Sequence, residues 1–287
     1  MAIYSLSSKA IDLQAAAAPI ISLSRNYRLD DGIVMHCHRR GQLLFANEGT
    51  MYVRTADHMW LVPPRIGLWI PPGTRHEVTM QGYVRMRTIY VDSGEDAGPD
   101  DDCRLVIVSP LLRELILAHA GQRSGDTQDE RAETLTQLIL NELHSAREIP
   151  LKIRWPHDVR LLIACRTLLQ RPLLPNNLAS IAKVSAVSPR TLTRLFRRET
   201  GIAFNHWRTA LSVAKALCGL NEGARISDLA RELGYRSPSA FTKVFRQTVG
   251  FTPRDFLRLQ TDPFSHGEMA GSSACSGDKS PPVRRQN

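Results

Sequence analysis

Two groups of residues in this 287-residue chain have types and spacings suited to chemistry. The first is His36-Cys37-His38-Arg39-Arg40-Gly41-Gln42, with Pro71-Pro72-Gly73-Thr74-Arg75-His76 further on. Alternate residues of a strand point the same way, so His36 and His38 share a face. Paired imidazoles suit three tasks: ligation of zinc or another first-row transition metal, hydrogen bonding to a small molecule, or polar lining of a barrel. Their spacing leaves all three open. The second group is a recurring set of cations and hydroxyls: Arg190, Thr193, Arg194 and Arg197, then Ser239, Thr242, Lys243 and Arg246. Steps of three and four residues place each set on one face of a helix. Arg and Lys contact guanine edges, and Thr or Ser reaches several base edges.

The elements that must carry the second group form an internal repeat. Leu178–Gly201 aligns with Ile226–Gly250 at an offset of 48 before a turn, matching Ile181-Ala182 to Leu229-Ala230. After the turn the offset is 49, matching Ser188-Pro189 to Ser237-Pro238, Phe196-Arg197 to Phe245-Arg246, and Gly201 to Gly250. The additional residue, Arg236, falls where a loop absorbs it. Each copy predicts a short helix, a turn and a second helix. Ser188 or Ser237 stands at the N-cap, Pro189 or Pro238 at the first helical position, and a glycine at the end. Leu192, Leu195 and Phe196, and Phe241, Val244 and Phe245, are the stripes that bury; the cations lie opposite. Arg190, Thr193, Arg194, Ser239, Thr242 and Lys243 are the expected base contacts. Ser188, Arg197, Arg198, Ser237 and Arg246 are the expected phosphate contacts. A longer helix over about 203–220, with Trp207, Ala210, Leu211, Ala214 and Leu217, is expected to hold the copies apart.

Charge agrees with this reading. The formal net charge is +9, but residues 1–155 carry 17 Lys/Arg against 19 Asp/Glu, while residues 156–260 carry 17 against 6. A positive excess confined to one segment is the footprint of a nucleic-acid-binding unit. The five scattered cysteines, Cys37, Cys103, Cys165, Cys218 and Cys275, include no CxxC pair and read as free thiols. There is no apolar run long enough for a membrane span and no secretory leader pattern, so a cytoplasmic location is expected. Short alternating runs punctuated by Gly and Pro over 21–93 predict a small β barrel or sandwich. Residues 94–102 read as an acidic loop. Two helices follow, one from Ser109-Pro110 and one over about 129–145, whose apolar stripes need a covering surface. A Pro-containing linker spans 146–156. Residues 1–20 and 261–287 read as flexible ends.

The repeat resembles the DNA-binding domain of AraC/XylS-type bacterial regulators over about 157–258. The pattern Gly-Tyr-x-Ser-Pro-Ser-Ala-Phe-x-x-x-Phe-Arg-x-x-x-Gly-Phe-Thr-Pro at 234–253 is highly specific to that family. The resemblance implies that Arg190, Thr193 and Arg194 read one major groove, and Ser239, Thr242 and Lys243 the next. The β region resembles the two cupin motifs, in which histidines and a carboxylate converge inside a barrel on a divalent metal. That likeness implies an effector pocket at His36, His38, Gln42 and His76; since aromatics line many ligand sites, Trp69, with Trp60, Tyr52 and Tyr90, is expected to wall it, ordinary barrel core or surface being the alternative for each. It also implies a metal site at His36, His38 and His76. Gln42 stands where the carboxylate is usual, and Met80 where Asn is usual.

The expected whole is an α+β two-domain chain: a cupin-like β barrel over 21–93, a loop and helices for packing or dimerisation over 94–150, and an all-α double helix-turn-helix domain over 157–260. Its expected function is sequence-specific transcription regulation, with no catalytic residues. The expected partners are double-stranded DNA, a small-molecule effector, a second copy of the chain, and RNA polymerase if it activates. No membrane is expected among them. The competing readings are a cupin-type metal enzyme with an appended DNA-binding domain, which the missing carboxylate opposes, and an effector-independent architectural DNA binder.

Overall fold

The computed structural model describes residues 3–4, 18–92, 102–121, 130–170 and 178–261. The N-terminal part is two sheets packed face to face. The strands are β1 (Ile3–Tyr4), β2 (Ile20–Tyr27), β3 (Gly32–His36), β4 (Gly41–Ala46), β5 (Thr50–Arg54) and β6 (His58–Val62). They continue as β7 (Ile66–Ile70), β8 (His76–Gln81), β9 (Val84–Val91), β10 (Arg104–Ile107), β11 (Glu148–Ile149) and β12 (Ile153–Arg154). One sheet runs β1-β3-β8-β5-β6-β12, the other β11-β10-β7-β4-β9-β2. The pairing is antiparallel except for β1 with β3. This is the expected cupin-like architecture, and it reaches past residue 93. Segment 94–150 contributes β10 and β11 as well as helices, and β12 comes from the stretch read as linker. The acidic loop at 94–101 and the tail beyond 261 lie outside the described residues.

Burial explains the strand sequences. In β8 the buried residues are His76, Val78 and Met80, alternating with half-buried ones, as in a strand with one face inward. β4 is buried at every position. Its Leu44 and Ala46 face the barrel interior, while Leu43 and Phe45 face outward. That outer face is covered by α1 (Pro110–Ala120) and α2 (Glu130–Ser145). Leu112, Leu115 and Ile116 of α1 and Ile139 and Leu143 of α2 pack there on Leu43, Phe45, Trp69 and Ile89. Ser109 caps α1 by accepting from the Leu112 amide, and its hydroxyl donates to Glu142 of α2 at 2.8 Å. The helical stripes thus find much of their covering surface within the chain; Leu111 and Leu138 stay exposed.

The C-terminal part is helical, as expected. It comprises α3 (Val159–Gln170), α4 (Leu178–Val184), α5 (Pro189–Thr200), α6 (Phe204–Asn221), α7 (Ile226–Glu232), α8 (Pro238–Val249) and α9 (Pro253–Leu259). Trp207, Leu211, Val213, Ala214, Ala216 and Leu217 bury α6 at its centre. This helix also packs against β6 and β12 of the barrel. Trp207 Nε1 donates to the Arg154 carbonyl at 2.6 Å, and β12 itself pairs with β6. The Arg147 guanidinium sits over the Phe251 ring, 5.2 Å from its centroid. The prolines at 150 and 156 therefore bracket a docked strand rather than a slack tether.

Candidate nucleic-acid interface and effector site

Each helix-turn-helix copy is built by the same local chemistry. After α4 the chain turns through Ala186 at φ +52°, and after α7 through Gly234 at φ +78°, positions 48 apart. In both turns the next residue's amide reaches back five residues: Val187 N to Ala182 O at 3.0 Å, and Tyr235 N to Ala230 O at 2.8 Å. This bond closes the open carbonyls of the helix end and fixes the exit direction of the chain. Ser188 then accepts from the Thr191 amide and Ser237 from the Ala240 amide, so both expected caps form. Gly201 and Gly250 end the second helices in the left-handed conformation.

The second helix of each copy buries one face and exposes the other. Leu192, Leu195 and Phe196 of α5 are buried, Phe196 packing edge-on against Phe204 and Trp207. In α8 Phe241, Phe245 and Val249 are buried, while Val244 is only half-buried. Opposite these, Arg190, Thr193, Arg194, Arg197 and Arg198 are exposed and line a shallow concavity on α5. Ser239, Thr242, Lys243 and Arg246 line its counterpart on α8, with Thr242 half-buried. Among the described residues, none of Arg190, Arg194, Arg197, Lys243 and Arg246 forms a salt bridge. Uncommitted cations held on the rim of a rigid helix suit a polyanion. The Ser188 and Ser237 hydroxyls, expected on phosphate, work as caps, and Ser237 also meets the Ser239 hydroxyl at 2.9 Å. Sequence reading missed Gln247 and Thr252, which complete the α8 concavity. The spacing of Gln247, four after Lys243, was the available signal.

The histidines converge. His36 ends β3 and lies opposite His76, the first residue of β8. Between them the Pro71–Gly73 turn is fixed by the Gly73 amide, which donates to the His38 carbonyl at 2.7 Å, with Gly73 at φ +74°. The ring centroids are 4.2 Å apart for His36 and His76, 4.7 Å for His36 and His38, and 5.4 Å for His38 and His76. One ring nitrogen from each lies within 4.8 Å of the other two. His36 Nδ1 meets the Val34 carbonyl at 2.7 Å and His76 Nδ1 meets the Thr74 carbonyl at 2.9 Å. A carbonyl only accepts, so each Nδ1 carries the proton and each Nε2 presents a lone pair. His76 Nε2 is buried without a partner. His36 Nε2 and His38 Nε2 face one another at 3.1 Å.

Desolvation is the main reason the His38 pKa falls to about 3 and that of His76 to about 4, with like-charge repulsion within the cluster adding to it. Desolvation lowers His36 too. All three are neutral near pH 7, the state that ligates a metal. The fit extends to the proton positions: metal-ligating imidazoles hold their outer N–H on a carbonyl or carboxylate. Tetrahedral metal–nitrogen bonds of about 2.0–2.1 Å imply nitrogens about 3.4 Å apart, near the His36–His38 separation.

Gln42 lies on the inner face with Tyr90, whose ring is 4.8 Å from that of His38. Its amide Nε2 donates to Thr88 Oγ1 at 3.0 Å, while the Thr88 hydroxyl donates to the Leu43 carbonyl. Thr88 can therefore only accept from Gln42, and the atom left buried and unpartnered is Gln42 Oε1. Trp69 corrects the expected pocket. It pairs with Leu43 on β4, and so lies on the outer face beneath α1 and α2. Strand alternation, which the cupin likeness could not register residue by residue, decides this. Tyr52 also faces outward, where Cys218 and Glu222 of the helical part and above all burial raise its pKa to about 12. Trp60 opposite Val53 faces inward, as expected. Arg40 is buried and bonds Asp92 and the Ala18 carbonyl, whereas Arg39 and Arg75 are exposed beside His38 and His76. Cys37, Cys103, Cys165 and Cys218 are free thiols, and Cys275 lies outside the described residues.

Comparison with known proteins places both parts. A family model described as a helix-turn-helix domain matches residues 181–259, and one described as an AraC-like ligand binding domain matches residues 19–140. The HTH-type transcriptional regulator NimR of Escherichia coli (strain K12) is 31% identical over 228 residues, covering 79% of this chain and 83% of NimR. The arabinose operon regulatory protein of the same organism is 26% identical over 242 residues, covering 78% of this chain and 80% of that protein. Among the described residues, no helix is long and apolar enough to cross a membrane.

Proposed function

The chain belongs to the AraC family of DNA-binding transcription regulators with an N-terminal ligand-binding domain, and from that premise we propose how its residues divide the work. Helices α5 and α8 enter successive major grooves of one operator. Arg190, Thr193 and Arg194 read bases in the first groove; Ser239, Thr242 and Lys243 read the second, aided by Gln247. Arg197, Arg198 and Arg246 hold phosphate, and the Ser188 and Ser237 helix starts present backbone amides to it. Because α5 offers arginines where α8 offers Ser239 and Lys243, most base discrimination comes from α5. The observation that carries this reading is the pair of exposed cation faces, each on a capped helix whose other face is locked in the core.

In the N-terminal part, His36, His38 and His76 hold a divalent transition metal, with Gln42 Oε1 beside them, and a small-molecule effector binds there. Once bound, the ion supplies a Lewis-acidic centre; the protein's residues orient and enclose what meets it. Occupancy shifts the balance between arrangements of the barrel and the helical part, and so shifts DNA affinity. The outer faces of α1 and α2, with Leu111 and Leu138, join two copies, and RNA polymerase is the further partner where the protein activates. The competing reading of an appended metal enzyme is not favoured: the relatives are transcription regulators, and among the described residues the cluster contains histidines and no acid.

The test is operator binding by full-length protein, with the operator selected from random DNA. Arg194→Ala should remove about 1–3 kcal/mol of discrimination at base pairs in one half of the site. Arg197→Ala should weaken binding to all sequences and reduce the slope of log affinity against log salt by about one. Uniform loss in Arg194→Ala, with an unchanged salt slope in Arg197→Ala, would reverse the assignment.

A further inference from the structure

We infer that the ion at His36, His38 and His76 completes its coordination with an anion, so that the effector binds through a carboxylate or similar oxyanion group. This deepens the proposed metal site and rests on it. The argument is one of charge. The donors are three imidazoles, which ligate as neutral groups, and Gln42, also on the inner face of the barrel, carries no charge, so a divalent ion there keeps its full double charge. Had position 42 carried the usual carboxylate, half of that charge would be cancelled within the protein. The cluster is largely buried, His38 and His76 being 6% and 0% exposed, and uncompensated charge is costly away from water.

Among the described residues, the acids nearest the cluster in sequence and across the strands are already paired. Glu77, next to His76 in sequence, is paired with Arg54 at 2.7 Å. Asp92 is paired with Arg40 at 3.3 Å. Among the described residues, the ligating cluster contains histidines alone. The charged residues next to His38 and His76 in sequence, Arg39 and Arg75, are exposed and positive. Three protein nitrogens leave a divalent ion an exchangeable position, as in sites that bind a ligand rather than ones that are purely structural. Access exists at the His36 end, where His36 is half-buried and Cys37 exposed. The Gln42 amide is also committed in orientation: Thr88 fixes its nitrogen, so its oxygen, and not a hydrogen-bond donor, is the atom left over. The charge of the incoming group is therefore met by the ion itself.

The experiment uses full-length protein stripped with chelator, loaded with one equivalent of cobalt(II), and titrated with sodium acetate, sodium azide and, as a neutral control, acetamide. The readout is the visible ligand-field spectrum. The expected result is a cobalt spectrum that shifts saturably with acetate and azide and not with acetamide. In Gln42→Glu the cobalt spectrum should persist while acetate affinity falls by about tenfold or more, because the new carboxylate lowers the charge the anion meets. A cobalt spectrum unmoved by either anion, or moved equally by acetamide, overturns the inference and leaves the metal site standing. Absence of any cobalt spectrum removes the metal site itself, which is a separate failure and leaves the DNA-binding assignment untouched. If Gln42→Glu loses its fold by circular dichroism, the wild-type titration with the three probes decides alone.

Discussion

Exchanging the turn residues of the two helix-turn-helix copies should move their stabilities in opposite directions. Ala186 and Gly234 occupy the same left-handed position, at φ +52° and +78°, and each turn is closed by the same five-residue backward hydrogen bond. A side chain in this conformation costs roughly 1–2 kcal/mol, while the greater freedom of glycine in the unfolded chain returns roughly 0.5–1 kcal/mol. Ala186→Gly should therefore stabilise the first copy by about 0.5–1 kcal/mol, and Gly234→Ala should destabilise the second by about the same. Ala186 is exposed and off the cation face of α5, so no packing or DNA contact is removed. The assay is native-state amide hydrogen exchange on the full chain. Core amides of α4 and α5, such as those of Ala182 and Phe196, should exchange about 2–5-fold more slowly in Ala186→Gly. Those of Ala230 and Phe245 should exchange faster by a similar factor in Gly234→Ala. Faster exchange in Ala186→Gly, or unchanged exchange in Gly234→Ala, would refute the claim that the two turns share one strained conformation.

Two further outcomes follow from the geometry. In metal-free protein the histidine cluster should make stability fall as pH falls. Burial lowers the pKa of His38 to about 3 and of His76 to about 4, so the unfolded chain takes up their protons from about pH 6.5 downward while the folded chain does not. Stability is full above about pH 6.5 and declines toward pH 4 by on the order of 1 kcal/mol per pH unit for each histidine. Urea midpoints across this range should flatten in His38→Gln and in His76→Gln; an unchanged slope in both would show that the cluster is not the source. Trp207→Phe keeps the aromatic packing on Phe196 but leaves the Arg154 carbonyl without its donor, and should cost about 1–2 kcal/mol in thermal or urea unfolding. It should also loosen β12 on β6, read as faster exchange of the Ile153 amide; stability within error of the parent would make that bond dispensable.

The local pattern determined much of this protein. The double helix-turn-helix was legible because duplication wrote the same instructions twice: a serine cap, a proline at the first helical position, an apolar stripe and a terminal glycine. The confinement of positive charge to residues 156–260 identified the polyanion-binding part without any coordinates. The sheets were legible as strands, and His36 and His38 as partners on one face. The tertiary structure decided what no local pattern encodes. Only the pairing of β4 with β7 puts Trp69 outside and Gln42 inside, since a register set between strands distant in sequence fixes which face each residue takes. Only the docking of β12 on β6, with Trp207 holding Arg154, turns an apparent linker into part of the barrel. Only the convergence of β3, β8 and the Pro71–Gly73 turn brings His76 to the other two histidines and aims its unpartnered Nε2 among them. Spacing along a strand specifies a face; which faces meet is settled by packing over the whole chain.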